Sequence, residues 1–266
     1  VNLLPVNLLP AAYRNTERIY PNKMTGYLAL AKIKMTLNKN AEAGLLLQGI
    51  LQSSAYAFQS DITKVFQKTG THILWQLKPK NTNDATKEAT LYNFVGAPTS
   101  FTASANLVSQ FTTGDLRKQQ YVTAVPFQTQ TNYKISKYRN LGVNNATEYS
   151  IVFRLEEVNF LYAEILIGQG QVSAAIPYIN KTKVRAGLAA LPLNLTADVA
   201  LSELRSEKRK EMFAEHGIRF FDLKRWGLLD QLVTVKPNWK SFHAQWPLPN
   251  KELLLNPKLS PQNQGY

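Results

Sequence analysis

The chain contains no cysteine, which excludes a disulfide framework and any thiolate metal site. Its three histidines, His72, His216 and His243, lack the spacing of a ligand set, so no metal site is expected from them. Acidic residues are scarce: 31 Lys and Arg stand against 18 Asp and Glu, a formal charge of +13. An excess of that sign favours an anionic partner such as a nucleic acid, an acidic glycan or a membrane surface. The basic residues are nevertheless scattered, and the longest cluster, Lys208-Arg209-Lys210, is interleaved with glutamates. Nucleic acid is therefore not expected as the partner, because no reading motif accompanies the charge. No apolar run approaches the roughly 18–20 residues of a membrane helix. The first residues carry no leader either, since Val1–Pro10 has no charged opening and is broken by proline. That segment is one pentapeptide, Val-Asn-Leu-Leu-Pro, written twice, and the duplication supports no structural expectation. With 44% hydrophobic and 18% charged residues in 266, the chain has an ordinary globular composition and enough length for a sizeable core.

The richest stretch runs from Ser202 to Gly227. Glu203, Glu207, Glu211 and Glu215 recur every four residues, so a helix through them carries one acidic stripe whose neighbours repel by roughly 0.2–0.5 kcal/mol per pair. Arg205 and Arg209 flank the stripe, and Gly217 is expected to end the helix in a left-handed conformation. Arg219, Asp222, Lys224 and Arg225 follow on a second amphipathic segment. A glycosidase pair requires one carboxyl of raised pKa, whereas carboxylates hemmed by guanidinium groups keep their charge. The expectation is a structural ion network of Glu207, Arg209, Glu211, Glu215, Arg219, Asp222 and Arg225, with no catalytic residues.

Two helical hairpins share one frame. In the first, a helix over 23–37 turns at Asn38–Asn40 into a second helix over 41–51, and Ala31 lies twelve residues before Ala43. The second runs from Val152 to Gly168 and then from Val172 to Arg185, with Ala163 and Ala175 at the same spacing. Small residues at that interval let the two helices of a tetratricopeptide-like hairpin touch. Between the hairpins, Thr71–Leu77 and Asn132–Arg139 read as strands, and Lys134, Lys137 and Arg139 read as a mostly solvated face able to present charge to an anionic ligand. Residues 87–113 form a long polar segment carrying Tyr92, Phe94 and Phe101. Rings on such a loop are candidate ligand-binding residues, because a sugar ring offers C–H groups to stack on while amides bond its rim; the alternative is that the rings pin the loop to the body.

The residues Glu207, Arg209, Glu211, Glu215, Gly217, Arg219, Phe221-Asp222-Leu223 and Arg225-Trp226-Gly227 resemble the C-terminal pattern of the SusD/RagB-like outer-membrane nutrient-binding lipoproteins. Arg154-Leu155, Glu157 and Ala163-Glu164 follow a second pattern of that family, and Arg154 and Glu157 are read as scaffold ion pairs. The ending is similar as well, through Trp246-Pro-Leu-Pro249, Glu252-Leu253, Asn256-Pro257, Gln262-Asn263 and Gly265-Tyr266, and its prolines predict an extended tail. The departures are Lys208, Met212 and His216.

The resemblance implies a mainly α fold, a superhelix of tetratricopeptide-like hairpins with a loop-rich subdomain holding a few short strands. It implies one family domain over 1–266, incomplete at its N-terminus, with hairpins at 22–58 and 151–186, a ligand-side region at 60–150, and C-terminal helices and tail at 196–266. Its functional implication is a non-catalytic surface protein without cofactors. Such a protein is held on the outer membrane by a lipid on the missing N-terminus, captures a glycan that the charge suggests is anionic, and hands it to a SusC-like TonB-dependent transporter. A peptide-binding RagB-like member and a helical scaffold for protein partners remain alternatives.

Overall fold

The computed structural model describes residues 16–98 and 100–266; the Val1–Pro10 duplication lies outside them. The described residues divide into two units between His216 and Gly217. In chain order the first unit holds α1 (Lys23–Thr36), α2 (Asn40–Leu51), β1 (Ile73–Leu77), α3 (Lys87–Tyr92), α4 (Ala105–Val108), α5 (Leu116–Tyr121), β2 (Val122–Phe127), β3 (Gln130–Ile135), β4 (Ser150–Arg154), α6 (Leu155–Gly168), α7 (Val172–Arg185) and α8 (Ala197–Met212). The fold is mainly helical, and among the described residues four short strands form two separate antiparallel pairs, β1 with β4 and β2 with β3.

Local chemistry sets the helix ends. The Asn22 side chain accepts the N–H groups of Met24 and Thr25 at 3.0 and 3.1 Å, and Asn22 N–H donates back to the Thr25 hydroxyl, closing a capping box at the start of α1. Thr196 caps α8 through its hydroxyl. Glu156 and Glu157 occupy the first turn of α6, where negative charge meets the positive end of the helix dipole.

The two hairpins, α1 with α2 and α6 with α7, stack through α2 and α6. Ala31, Ala43, Ala163 and Ala175 all have no exposed surface, as close helix approach requires. A Cβ placed on Gly44 of α2 would lie 3.6 Å from the Ile165 side chain of α6, and Lys32 of α1 reaches Glu157 of α6 at 2.6 Å. Leu28, Leu47, Ile50, Val158 and Leu161 fill the hairpin core. A second core, rich in rings, joins Phe66, Phe111, Tyr121, Tyr138 and Phe213 beneath the strand-bearing region. β1 and β4 tie the two together: Ile73 is opposite Arg154, the residue that opens α6.

The end of α8 differs from the sequence expectation. The helix stops at Met212 rather than at Gly217, because Phe213 turns to extended backbone and Ala214 and His216 take positive φ of 58° and 44°. Glu215 therefore lies beyond the helix, and the stripe on α8 itself consists of Glu203, Glu207 and Glu211.

The second unit, Gly217–Tyr266, contains α9 (Ile218–Arg225), α10 (Asn250–Leu255) and three short 3₁₀ turns. Gly217 is left-handed at φ 67° and opens α9 instead of closing α8. The tail is not wholly extended. Its six-residue α10 begins straight after Pro249, and the Gln262 amide clamps Leu248 by accepting its N–H at 2.7 Å and donating to its carbonyl at 2.8 Å. Phe242 and Tyr266 meet edge to face at 5.1 Å, which closes the tail on itself.

Candidate functional site

At the base of the first unit, the glutamates of 203–216 meet cations delivered by four distant segments. Asp115 caps α5 and holds Arg117 in a fork, with Nε and Nη2 donating at 2.8 and 2.7 Å, and Arg117 Nη1 then reaches Glu207 at 2.8 Å. Arg154, at the end of β4, grips both oxygens of Glu215 at 2.9 Å and donates to Glu211 Oε1 at 2.7 Å. Arg185, in the last turn of α7, donates to the same Glu211 oxygen at 2.7 Å and also pairs with Glu156. Lys210 pairs with Glu207 one turn back. These side chains are buried, so the planar guanidinium forks matter: each satisfies two acceptors at once in a place water does not reach.

Burial alone raises a carboxyl pKa, but here the surrounding guanidinium groups win. They hold Glu207, Glu211 and Glu215 below the usual carboxylate range, and His72 together with Arg154 and Arg185 holds Glu156 at about 2. Carboxylates so held have no proton to donate near neutral pH. Of the residues expected in this network, Glu207, Glu211 and Glu215 meet in it. Arg209 instead donates to Asn106. Asp222 and Arg225 pair with each other at 3.1 Å on α9, and Arg219 is half-buried on the same helix.

Lys137 does not join a solvated face. It is buried, and its ammonium donates to the carbonyls of Glu211 and Phe213 at 2.7 and 2.8 Å and to Glu215. The Phe213 ring lies 4.1 Å from it, and the Phe66 and Tyr121 rings lie 5.4 Å away. Burial pushes its pKa down to about 8, and Glu215 opposes a further fall. Lys134 is half-buried on β3, and Arg139 is exposed.

Above Lys137 opens a cleft of about 210 Å³ lined by Phe66, Gln67, Gln120, Arg139, Thr147 and Glu148 among others. Arg139 is braced by donating Nε to the Ser136 carbonyl at 3.0 Å and Nη2 to the Gln120 carbonyl. Glu148 accepts the backbone N–H groups of Arg139 and Asn140 at 3.0–3.1 Å, and burial pushes its carboxyl pKa up.

The three rings expected to bind ligand lie apart in exposure. Phe94 is buried at 7% exposure and belongs to the body of the protein. Tyr92 closes α3, half-buried against the ring-rich core. Phe101 is 56% exposed and meets Tyr92 edge to face at 6.4 Å. The strand pair β2–β3 adds Phe127 at its tip, 38% exposed. Gly96, at φ 76°, lies so close to Phe127 that a Cβ would sit 3.3 Å from the ring, so the loop docks on the hairpin where no side chain intervenes. The loop is tied down at its start, where the Asn93 amide donates to the Tyr138 carbonyl at 3.0 Å, and at its end by Ala103 N–H to the Tyr133 carbonyl at 2.7 Å.

Among the described residues, no group of three or more His, Asp or Glu is placed to hold a metal ion, and no helix is long and apolar enough to cross a membrane. His72 is fully buried, with Nε2 3.0 Å from the Val65 carbonyl and its pKa lowered by burial; His216 Nε2 lies 2.7 Å from the Ile151 carbonyl. Both serve backbone groups. The expected network left out Asp115, Arg117, Lys137, Glu156, Arg185 and Lys210, and Phe127 was not singled out as an exposed ring. Glu156 had a local signal, since it sits between Leu155 and Glu157 at a helix start.

The comparisons with known proteins follow the same outline. A model of the SusD family matches residues 52–243. SusD-like protein P2 of Formosa agariphila is 34% identical over 150 residues, 50% of this chain and 30% of its own length. SusD-like protein P25 of the same organism is 28% identical over 183 residues, 62% of this chain and 35% of its own length. The chain thus spans about a third of the curated relatives it matches. Among solved structures, a SusD superfamily protein from Bacteroides vulgatus superposes with a TM-score of 0.79 at 22% identity, covering 98% of this chain and 66% of that one. Surface glycan-binding protein A from Bacteroides thetaiotaomicron, in complex with laminarihexaose, superposes at 0.76 with 19% identity, covering 97% and 67%.

Proposed function

The chain belongs to the SusD family, and from that premise we propose that it is part of a non-catalytic surface glycan-binding protein that captures oligosaccharide or polysaccharide and delivers it to a TonB-dependent outer-membrane transporter. In this reading the protein sits on the outer face of the outer membrane, held there by a lipid anchor. The observation that carries the binding role is the Tyr92–Phe101 pair: an exposed ring set edge to face on a half-buried one, on a loop fastened at both ends. A pyranose face stacks on such a ring at little entropic cost, because the ring is already in place. Phe94 supports the loop from within and does not face the ligand. The laminarihexaose bound by the Bacteroides thetaiotaomicron protein favours a glycan over a peptide as the ligand class. A binding role is also favoured by the buried carboxylates, which are paired with guanidinium groups and held ionised.

Calorimetric titration of the chain with an oligosaccharide, compared with Phe101→Ala and Tyr92→Ala, tests this assignment. Loss of one stacking ring is expected to weaken binding roughly threefold to tenfold. For Phe101→Ala the thermal midpoint should hold, since an exposed side chain contributes little to stability. Unchanged affinity in both variants would remove the loop from the site.

A further inference from the structure

We propose that the cleft above Lys137 is a second, separate binding site, shaped for the carboxylate and ring of a single uronic-acid residue. Its volume of about 210 Å³ falls below the roughly 300–1,000 Å³ of clefts that hold drug-sized ligands, which suits it to one ring at a time. The groups left over after internal bonding select the chemistry. Arg139 spends Nε and Nη2 on backbone carbonyls, which fixes the guanidinium plane and leaves Nη1 without a partner among the described residues. Among the described residues Gln67 makes no side-chain bond and Gln120 uses only its oxygen, which leaves both amide nitrogens to donate. The Thr147 hydroxyl accepts from Asn140 at 2.9 Å and keeps its own proton to give. Arg139 Nη1, the two amide nitrogens and the Thr147 hydroxyl thus make four donors in the lining for a carboxylate with vicinal hydroxyls.

Lys137 has all three protons engaged and is balanced by Glu215, so it does not compete for the ligand, and the charge offered at the opening is that of Arg139. Glu148 is the acidic group of the lining, and two backbone N–H groups already face its oxygens. The site lies wholly within the first unit and uses neither Tyr92 nor Phe101, so it stands or falls independently of the stacking loop.

The test is calorimetry of the chain with galacturonate, glucuronate, galactose and glucose at low and high salt. Binding of a uronate at least tenfold tighter than its neutral counterpart, weakened by salt, is expected. Arg139→Gln should reduce uronate affinity about tenfold or more, the loss of one charge-assisted bond. Because Arg139 also braces the loop, Gln67→Ala provides a second probe that breaks no internal bond, and it too should weaken uronate binding while the thermal midpoint stays fixed. Equal binding of neutral sugars, no binding of any of the four, or affinity unmoved in both variants would overturn the assignment. Failure here with retained polysaccharide binding would leave the stacking loop untouched.

Discussion

Glu211 takes Arg154 and Arg185 on a single oxygen, each at 2.7 Å, with no exposed surface of its own. Removing it leaves two buried guanidinium groups short of a counter-charge. Breaking a buried pair from one side costs about 3–5 kcal/mol, since the remaining charge stays desolvated. Glu203, eight residues earlier on the same stripe, meets Lys183 at 3.2 Å at the partly exposed edge of the helix, where a pair is worth about 0–1 kcal/mol. Urea unfolding should therefore separate two residues that look alike in sequence: Glu211→Ala loses about 3–5 kcal/mol and Glu203→Ala less than about 1. Equal losses would show that the buried network is not what distinguishes them.

At the scale of elements, the hairpin frame rests on alanines. Ala43 is fully buried where α2 meets its neighbours, so Ala43→Leu forces extra volume into a closed contact and should cost about 1–3 kcal/mol. Its neighbour Gly44 has ordinary contact distance to spare toward Ile165, and in a helix interior alanine is preferred to glycine by up to about 1 kcal/mol. Gly44→Ala should raise the thermal midpoint while Ala43→Leu lowers it; the reverse order would contradict the packing described for α2 and α6. These elements were legible in the sequence because both periodicity and small-residue spacing are local. The strands β1 and β3 were legible for the same reason. Lys137 was not, since alternation along Asn132–Arg139 places it beside Lys134 and Arg139 and says nothing of the Glu211 and Phe213 carbonyls that enclose it. Phe94 and Phe101 likewise share a polar loop in sequence, and only the fold separates a buried ring from an exposed one. The end of α8 was misplaced because glycine signals a left-handed residue without saying which helix it serves; here Ala214 and His216 adopt positive φ first. The cleft had no sequence signal, as its walls come from segments near 63–67, 120–121, 136–140 and 147–148.

For the whole molecule, the buried network sets the response to acid. Asp115, Glu156, Glu207, Glu211 and Glu215 face Arg117, Lys137, Arg154, Arg185 and Lys210, five against five, so the excess charge of +13 lies outside this set. Glu156 falls from the ordinary 4.5 to about 2 on folding, and Glu207, Glu211 and Glu215 move in the same direction. Folded pKa values below the unfolded ones mean that the unfolded chain takes up protons first as pH falls. The stability these groups contribute is fully present above about 4.5 and is lost progressively toward about 2. Unfolding free energy followed by urea titration from pH 7 to 2.5 should begin to fall below about 6.5, where the unfolded chain protonates His72 and the buried ring does not, and should fall most steeply below about 4.5; no further loss between pH 4.5 and 2.5 would contradict the network.

The central claim is capture of a glycan without chemistry. Native gels carrying neutral glucans, fructans and mannans, or anionic pectin and sulfated polysaccharides, test it most directly when each gel is paired with an assay for released reducing ends. Retardation by at least one glycan with no release is the predicted result. Migration unchanged in every gel, with calorimetric heat from a peptide mixture, or retardation accompanied by released sugar, would contradict it.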